Sequence, residues 1–344
     1  MNVETVPPAP AKIGDVAARA GVGVATVSRV LNGRSNVAEP TRERVLDAIR
    51  ELDYRPSAVA RNLSLKRTSV VGVVMPFLTN PSPIERVRGI VTELAQSSFD
   101  LALFDVESAG RQERAFRLLA DSHRTDGLLI VSLVPPAEEV RRMRAMGIDA
   151  VLVDARADGL PAVVVDDVHG GRLATRYLVE LGHRRIAFIG DKPADEFRFH
   201  SSRDRTIGYE QALAEAGIPV RPEYVRAGTH SRHVARSIAE ELLRLPEPPT
   251  AIFAASDTQA LGVLEAARGL GVRVPDDLSV VGFDDVEIAS YVGLTTVRQP
   301  LFESGRRGAE LLLQSLDGMP PELQVETLPL DLVVRATTRP PART

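Results

Sequence analysis

The sequence predicts a small all-α head built on a helix-turn-helix, a short weakly helical stretch after it, and a larger α/β body of two doubly wound parallel sheets. Three observations carry this. Residues 13–32, "IGDVAARAGVGVATVSRVLN", set two apolar, Ala-rich pieces on either side of "GVG". From Ser69 onward, short β-branched runs alternate with amphipathic stretches, the pattern of parallel strands joined by helical crossovers. That alternation runs through two series, which calls for two subdomains with a cleft between them.

The head reads as three short helices. Ile13, Val16 and Ala17 recur at i, i+3, i+4 within 12–20, and Gly21 is placed to cap that helix. Val24, Val27, Val30 and Leu31 repeat the stripe, which Asn32-Gly33 ends. The third helix is expected over 41–52, with Val45, Leu46, Ile49 and Leu52 on its buried side. Residues 57–65, "SAVARNLSL", form a weak helical stretch too short to stand alone.

In the body, strands are expected at "VVGVVMP", "DLALFDV", "GLLIVS" and "AVLVD", then at "RIAFIG", "TAIFAAS" and "LSVVGFDD". Helices are expected over 84–95, 111–119, 137–145, 170–181, 206–216, 234–243 and 258–270. Ligands of such sheets bind off the carboxyl ends of the strands. Those ends here include "MPFLTN", "VDAR", "IGDKP", "AASD" and "GFDD".

Composition narrows the function. A chain of 344 residues is too long for one ordinary compact core. It has no Cys, which rules out disulfides and thiolate catalysis and fits a reducing cytoplasm. "MNVETVPPAPA" has neither the basic start nor the apolar core of a signal peptide, and no run approaches a membrane span. Of 42 basic and 46 acidic residues, 11 and 7 precede Ser69, a net of +4 before it and −8 after it. A basic small end on an acidic body is the footprint of a chain whose first piece meets a polyanion. No nucleophile elbow, phosphate loop or H-E-x-x-H motif is present, so neither an enzyme nor a cofactor is expected. His200, His230, His233 and Asp204 raise a metal site, but loop histidines are common and no metal is expected.

Several segments together resemble the lactose-repressor (LacI/GalR) family of bacterial transcription regulators: "KIGDVAARAGVGVATVSRVLNG", "TRERVLDAIRELDYRPSAVARNL", "LGHRRIAFIG", "RTIGYEQAL", "ASDTQALGVLEAARGLGVRVPDDLSVVGFDD" and "LTTVRQP". The resemblance runs from about Ala11 to Arg339. It implies a head over 11–56 and a hinge helix with linker over 57–68; the Pro-rich residues 1–10 ahead of it read as a disordered tail. It also implies a periplasmic-binding-protein-like effector domain over 69–340. Its first subdomain is expected at about 69–166 and 298–328, its second at 167–297 and 329–340.

The resemblance also implies roles. Val24 and Ala25 occupy the base-reading positions, where they pack on thymine methyl groups. Arg29 reaches guanine or phosphate; Thr26, Ser28 and Asn32 suit phosphate oxygens. Leu63, with Ala60 nearby, is the minor-groove wedge of the hinge. Gly23 stands where the family usually carries a Ser cap. Arg205 and Asp284 are the foremost effector contacts, a planar donor and an acceptor for sugar hydroxyls. Asn80, Asp154, Ser201, Ser256 and Gln299 fall at other contact positions, and His230 falls where many members stack an aromatic. The family's "NPFF"-like aromatics become "NPSPIE" here, which leaves a pocket expected to be polar. Asp166, Asp167 and Asp257 are read as ligand groups or as structural caps. The expected partners are a palindromic double-stranded DNA operator, a sugar-like effector and a second copy of the chain. The end "LPLDLVVRATTRPPART" has no heptad pattern, so a dimer and not a tetramer is expected. The alternatives are a purine or nucleoside effector, or a sugar-binding transport protein. The latter would need an export signal and no residues 12–65.

Overall fold

The computed structural model describes residues 11–31, 36–54, 68–106, 108–121, 124–192, 200–319 and 324–342. The chain forms two compact units, 1–68 and 69–344.

The first unit packs α1 (Ile13–Ala20), α2 (Val24–Leu31) and α3 (Glu39–Glu51). The Lys12 N–H donates to Asp15 at the start of α1 (2.8 Å), and Gly21 ends it in the left-handed conformation (φ 66°). Gly23 costs α2 no start, because its carbonyl accepts from Thr26 N–H at 2.8 Å. α3 begins two residues earlier than expected, since Pro40 fits a first turn where its missing N–H is no loss. The core consists of Val16, Ala17, Ala20, Val27, Val30, Val45 and Ala48. Leu46, expected inside, is exposed. The stripe that faces the core runs through 45, 48 and 49, and Leu46 sits about 100° round the helix from Val45.

The second unit holds two six-stranded sheets. Strands β1 (Val70–Met75), β2 (Asp100–Asp105), β3 (Gly127–Val131), β4 (Asp149–Val153), β5 (Ala162–Val165) and β11 (Val325–Leu328) form the first, in the order β11-β5-β4-β3-β1-β2, all parallel. Strands β6 (Ile186–Asp191), β7 (Val225–Gly228), β8 (Ala251–Ala254), β9 (Ser279–Asp284), β10 (Thr295–Arg298) and β12 (Asp331–Val333) form the second. Its order is β12-β10-β9-β8-β6-β7, parallel except for the β10–β12 pair. Helices α4 (Pro81–Leu94), α5 (Ala109–Asp121), α6 (Ala137–Ala145) and α12 (Leu301–Leu316) belong with the first sheet. Helices α7 (Asp167–Glu180), α8 (Ser201–Glu215), α9 (Arg232–Leu243), α10 (Asp257–Gly269) and α11 (Glu287–Tyr291) belong with the second.

Helices cover both faces of each sheet, so central strands are apolar without alternation; all five residues of β3 are buried. Edge strand β2 has no fully buried residue. The chain passes between the sheets three times: after β5, after β10 and after β11. Strands β5, β7, β10 and β11 and helices α11 and α12 go unread in the sequence. Each of those strands has only four residues, and α12 follows "RQP" with no cap signal to announce it.

Candidate functional site

Two surfaces carry the chemistry. On α2, Val27 and Val30 are buried while Val24 is 48% exposed, so Val24 is not core. With Ala25 and Arg29, also exposed, it makes an outward face of two small apolar groups and one guanidinium. Thr26 and Ser28 flank that face, half-buried. Asn32, Ala60 and Leu63 lie outside the described residues.

In the second unit a cleft of about 700 Å³ opens between the two sheets. Phe77 follows β1, Ser132 follows β3 and Asp154 follows β4, forming one wall; Asp191, His230, Ser256 and Asp284 come from the ends of β6, β7, β8 and β9 on the other. The cleft is thus built at strand carboxyl ends. All eight residues singled out in the sequence (Asn80, Asp154, Ser201, Arg205, His230, Ser256, Asp284 and Gln299) line it. Four of its lining residues, Phe77, Ser132, Asp154 and Asp284, hold positive φ without being glycine. Such conformations cost on the order of 1 kcal/mol each and persist where surrounding structure enforces them.

Two glycines set the arginines. A Cβ at Gly305 would meet the Arg86 carbonyl at 2.0 Å, and one at Gly171 would meet the Arg205 carbonyl at 2.2 Å. α12 therefore closes on α4, and α7 on α8, at the backbone of the two residues that project into the cleft. Arg86, 2% exposed, pairs with Asp154 (3.0 Å) and donates to Gln299 Oε1 (3.1 Å) and Ser82 Oγ (2.7 Å). Asp154 also accepts from the Ser132 hydroxyl at 2.7 Å. Opposite, Arg205 donates to Asp167 (2.8 Å) and to the Ala255 carbonyl (2.5 Å), with its guanidinium 3.6 Å above the Phe283 ring centre. Gln299 joins the walls, because its amide N–H donates to Asp284 while its oxygen accepts from Arg86. Burial pushes the Asp284 carboxyl above its ordinary value, and Arg205 opposes that rise.

A third cluster surrounds Asp191. Its carboxylate accepts from Gln259 Nε2 (2.9 Å) and pairs with His230 Nδ1 (3.1 Å), while its own N–H donates to Ser202 Oγ (2.8 Å). Burial alone would lower the His230 pKa, but the hydrogen bond and charge of Asp191 outweigh it and hold the imidazole above its ordinary value.

Some expectations shift in detail. The Ser256 hydroxyl is engaged in capping α10, where it accepts from Gln259 N–H at 3.2 Å. Asp257 is fully buried, accepting from Val286 N–H (2.9 Å) and the Thr296 hydroxyl (2.6 Å). Asp166 caps α7 by accepting from His169 N–H, and Asp167 braces Arg205. All three thus have structural partners. His200 and His230 share the cleft without His233 or Asp204; among the described residues no group of three or more His, Cys, Asp or Glu could hold a metal. Sequence reasoning missed Phe77, Ser82, Arg86, Ser132, Asp191 and Lys192. Asp191 and Lys192 belong to "IGDKP", a strand end already marked by position, whereas Arg86 in "SPIERVRG" reads as an ordinary solvent-facing helix residue.

Comparison with known proteins places this geometry. Residues 12–57 match the model of bacterial regulatory proteins of the lacI family, and 175–338 match a periplasmic binding protein-like domain. The HTH-type transcriptional repressor CytR of Escherichia coli (strain K12) is 34% identical over 340 residues, covering 96% of each chain. The lac repressor dimer bound to operator and the anti-inducer ONPF aligns with a TM-score of 0.83 at 31% identity, covering 96% of this chain and 100% of that one. The complex of the transcriptional regulator CelR with cellobiose aligns with a TM-score of 0.69 at 34% identity, covering 95% and 99%. Among the described residues no helix is long and apolar enough to cross a membrane. The chain belongs to the lacI family of bacterial regulatory proteins: it is a ligand-responsive, DNA-binding transcriptional regulator and not an enzyme.

Proposed function

We propose that this regulator is a cytoplasmic repressor of carbohydrate uptake or catabolism genes, that it binds a palindromic operator as a homodimer, and that a sugar or sugar derivative in the cleft changes its hold on DNA. The observation that carries the effector class is the pairing of donors and acceptors across the cleft. Asp154 and Arg86 face it from one subdomain, Asp284 and Arg205 from the other. A polyol hydroxyl is donor and acceptor at once, so it satisfies both kinds of group simultaneously. A purine would need flat apolar walls, and among the described lining residues Phe77 is the one Phe, Tyr or Trp. CelR, solved with cellobiose, is a relative of matching class.

On the DNA side, Val24, Ala25, Thr26, Ser28 and Arg29 read the major groove, with Asn32 on phosphate and Ala60 and Leu63 of the hinge in the minor groove. A two-fold dimer then reads a palindrome of roughly 14–20 base pairs, with an easily unstacked CG step at its centre. The test is selection of sites from random DNA with the purified chain, followed by titration of the selected duplex with a panel of mono- and disaccharides. A palindrome whose complex one sugar loosens or tightens supports the reading. A non-palindromic site, or a response to nucleosides and to no sugar, overturns the corresponding half.

A further inference from the structure

The position opposite Asp191 carries an imidazole, and its geometry differs from that of a stacking platform. His230 Nδ1 is engaged by Asp191, which Gln259 anchors from behind, leaving Nε2 as the ring's remaining polar atom. Asp191 favours the protonated ring, in which Nε2–H is a donor and has no acceptor capacity. Lys192 lines the same end of the cleft: its backbone N–H bonds to the Gly228 carbonyl, two residues before His230. The other charged groups acting on His230 are Asp284 and Arg205, of opposite sign. Asp284 accepts from Gln299, and Arg205 is paired with Asp167. Asp191 balances His230, so Lys192, which lines the same end of the cleft, brings a further positive charge to it, with no carboxylate pairing with it among the described residues.

We propose that the effector carries an anionic oxygen group, and that His230 and Lys192 select it. The proposal rests on the carbohydrate reading above and narrows it to an acidic sugar, either a phosphoester or a carboxylate. The bond is charge-assisted at both donors, and it weakens as pH rises through the elevated imidazole value, because the neutral ring loses both its charge and its certain donor.

The test uses the full chain with labelled histidines, of which the protein has six; the His230 resonance is the one lost in His230→Phe. Probes are inorganic phosphate, D-glucose 6-phosphate, D-glucuronate and D-glucose. The expected result is that phosphate and at least one acidic sugar move this resonance and raise its titration midpoint. The acidic sugar should bind roughly ten-fold more tightly than D-glucose, and Lys192→Ala should remove most of that preference. Asp191→Asn should lower the midpoint without any probe. Alongside phosphate, a response to the phosphoester and not glucuronate, or to glucuronate and not the phosphoester, identifies the sugar's anionic group. If none of the three anions moves the His230 resonance, or if Lys192→Ala leaves the response intact, the proposal is overturned. D-glucose binding with His230 unmoved by anions overturns it while the carbohydrate reading stands. Phosphate acting through Lys192 with no sugar bound leaves the anion site standing and removes the carbohydrate reading.

Discussion

On the proposed function, the head and the body recognise their targets in opposite ways. The head presents what its core does not need: Val24, Ala25 and Arg29 project from α2 while Val27 and Val30 beneath them hold the helix in place. The body presents what its core does need. Arg86, Arg205 and Asp284 are each under a tenth exposed, and each braces neighbours as well as lining the cleft. Recognition by exposed residues can be retuned at almost no cost in stability. Recognition by buried charges cannot, because removing one partner leaves the other desolvated and unpaired.

The largest effect is expected where the head has least in reserve. Among the described residues, seven small or branched ones make its buried core, with no aromatic among them. A carboxylate in place of Val27, which is fully buried, costs several kcal/mol, comparable to the whole stability of so small a unit. Val27→Asp should therefore abolish operator binding while the body melts as in the wild type. Calorimetry and fluorescence anisotropy on one sample check this. Loss of the body's transition as well would show that the two units are not independently stable.

Next comes the cleft. Asp284→Ala removes an acceptor that faces both Gln299 and Arg205. Sugar affinity should fall about ten- to a hundred-fold, the equivalent of roughly 1.5–3 kcal/mol for a charge-assisted bond. Operator affinity without sugar should stay near wild type. Titration calorimetry and anisotropy separate these two results, and full sugar affinity in Asp284→Ala would remove the cleft assignment.

A smaller effect belongs to the exposed face of α2. Val24→Ala should leave the melting temperature unchanged, since surface substitutions usually fall within about 0.5 kcal/mol. It should relax operator choice at one base pair by about 1 kcal/mol. Comparing selected sites for the two proteins measures it; an unchanged preference would place Val24 off the bases.

How far the sequence revealed this division also differs between the two regions. In the head, one periodic stripe located both helices, α2 to the residue and α1 within one, but it also took in Val24, which the structure turns outward. In the body, strand carboxyl ends were legible because β-branched runs stop abruptly at Asp, Ser or Pro; the resemblance then singled out Asp154, Ser256 and Asp284 at those ends, while Asp191, at the end marked by "IGDKP", was not singled out. Arg86 was not legible. A helix's charged residues are ordinarily its wet ones, and only the approach of α12 through Gly305, more than two hundred positions away, turns Arg86 inward. Gln299 was placed by resemblance, but its double contact depends on where β10 lies, a four-residue strand that periodicity does not announce.

The smallest effect tests whether every buried carboxylate near the cleft is a ligand group. Asp257 sits at the start of α10, one residue after the cleft-lining Ser256, and sequence alone left its role open. Its two oxygens are used within the fold, by the Val286 N–H and the Thr296 hydroxyl. Burial and the nearby Asp284 push its carboxyl well above the ordinary carboxylate range. Folding therefore favours the neutral acid. The stability this confers is fully present below the unfolded-state value of about 4 and is lost as pH rises through the folded-state value. Asn has nearly the same shape and no charge to bury. Its carbonyl can accept from Val286 N–H, and its amide can donate to Thr296 Oγ, which turns from donor to acceptor. Asp257→Asn should thus match the wild type within about 1 kcal/mol below pH about 4 and be the more stable of the two at neutral pH. It should flatten the fall in stability above pH about 4, and leave sugar affinity as it was. Thermal melts across that pH range, with calorimetry at one pH, decide it. A loss of sugar affinity matching that of Asp284→Ala would make Asp257 part of the recognition surface and erase the distinction between the carboxylates that hold the cleft and those that face into it.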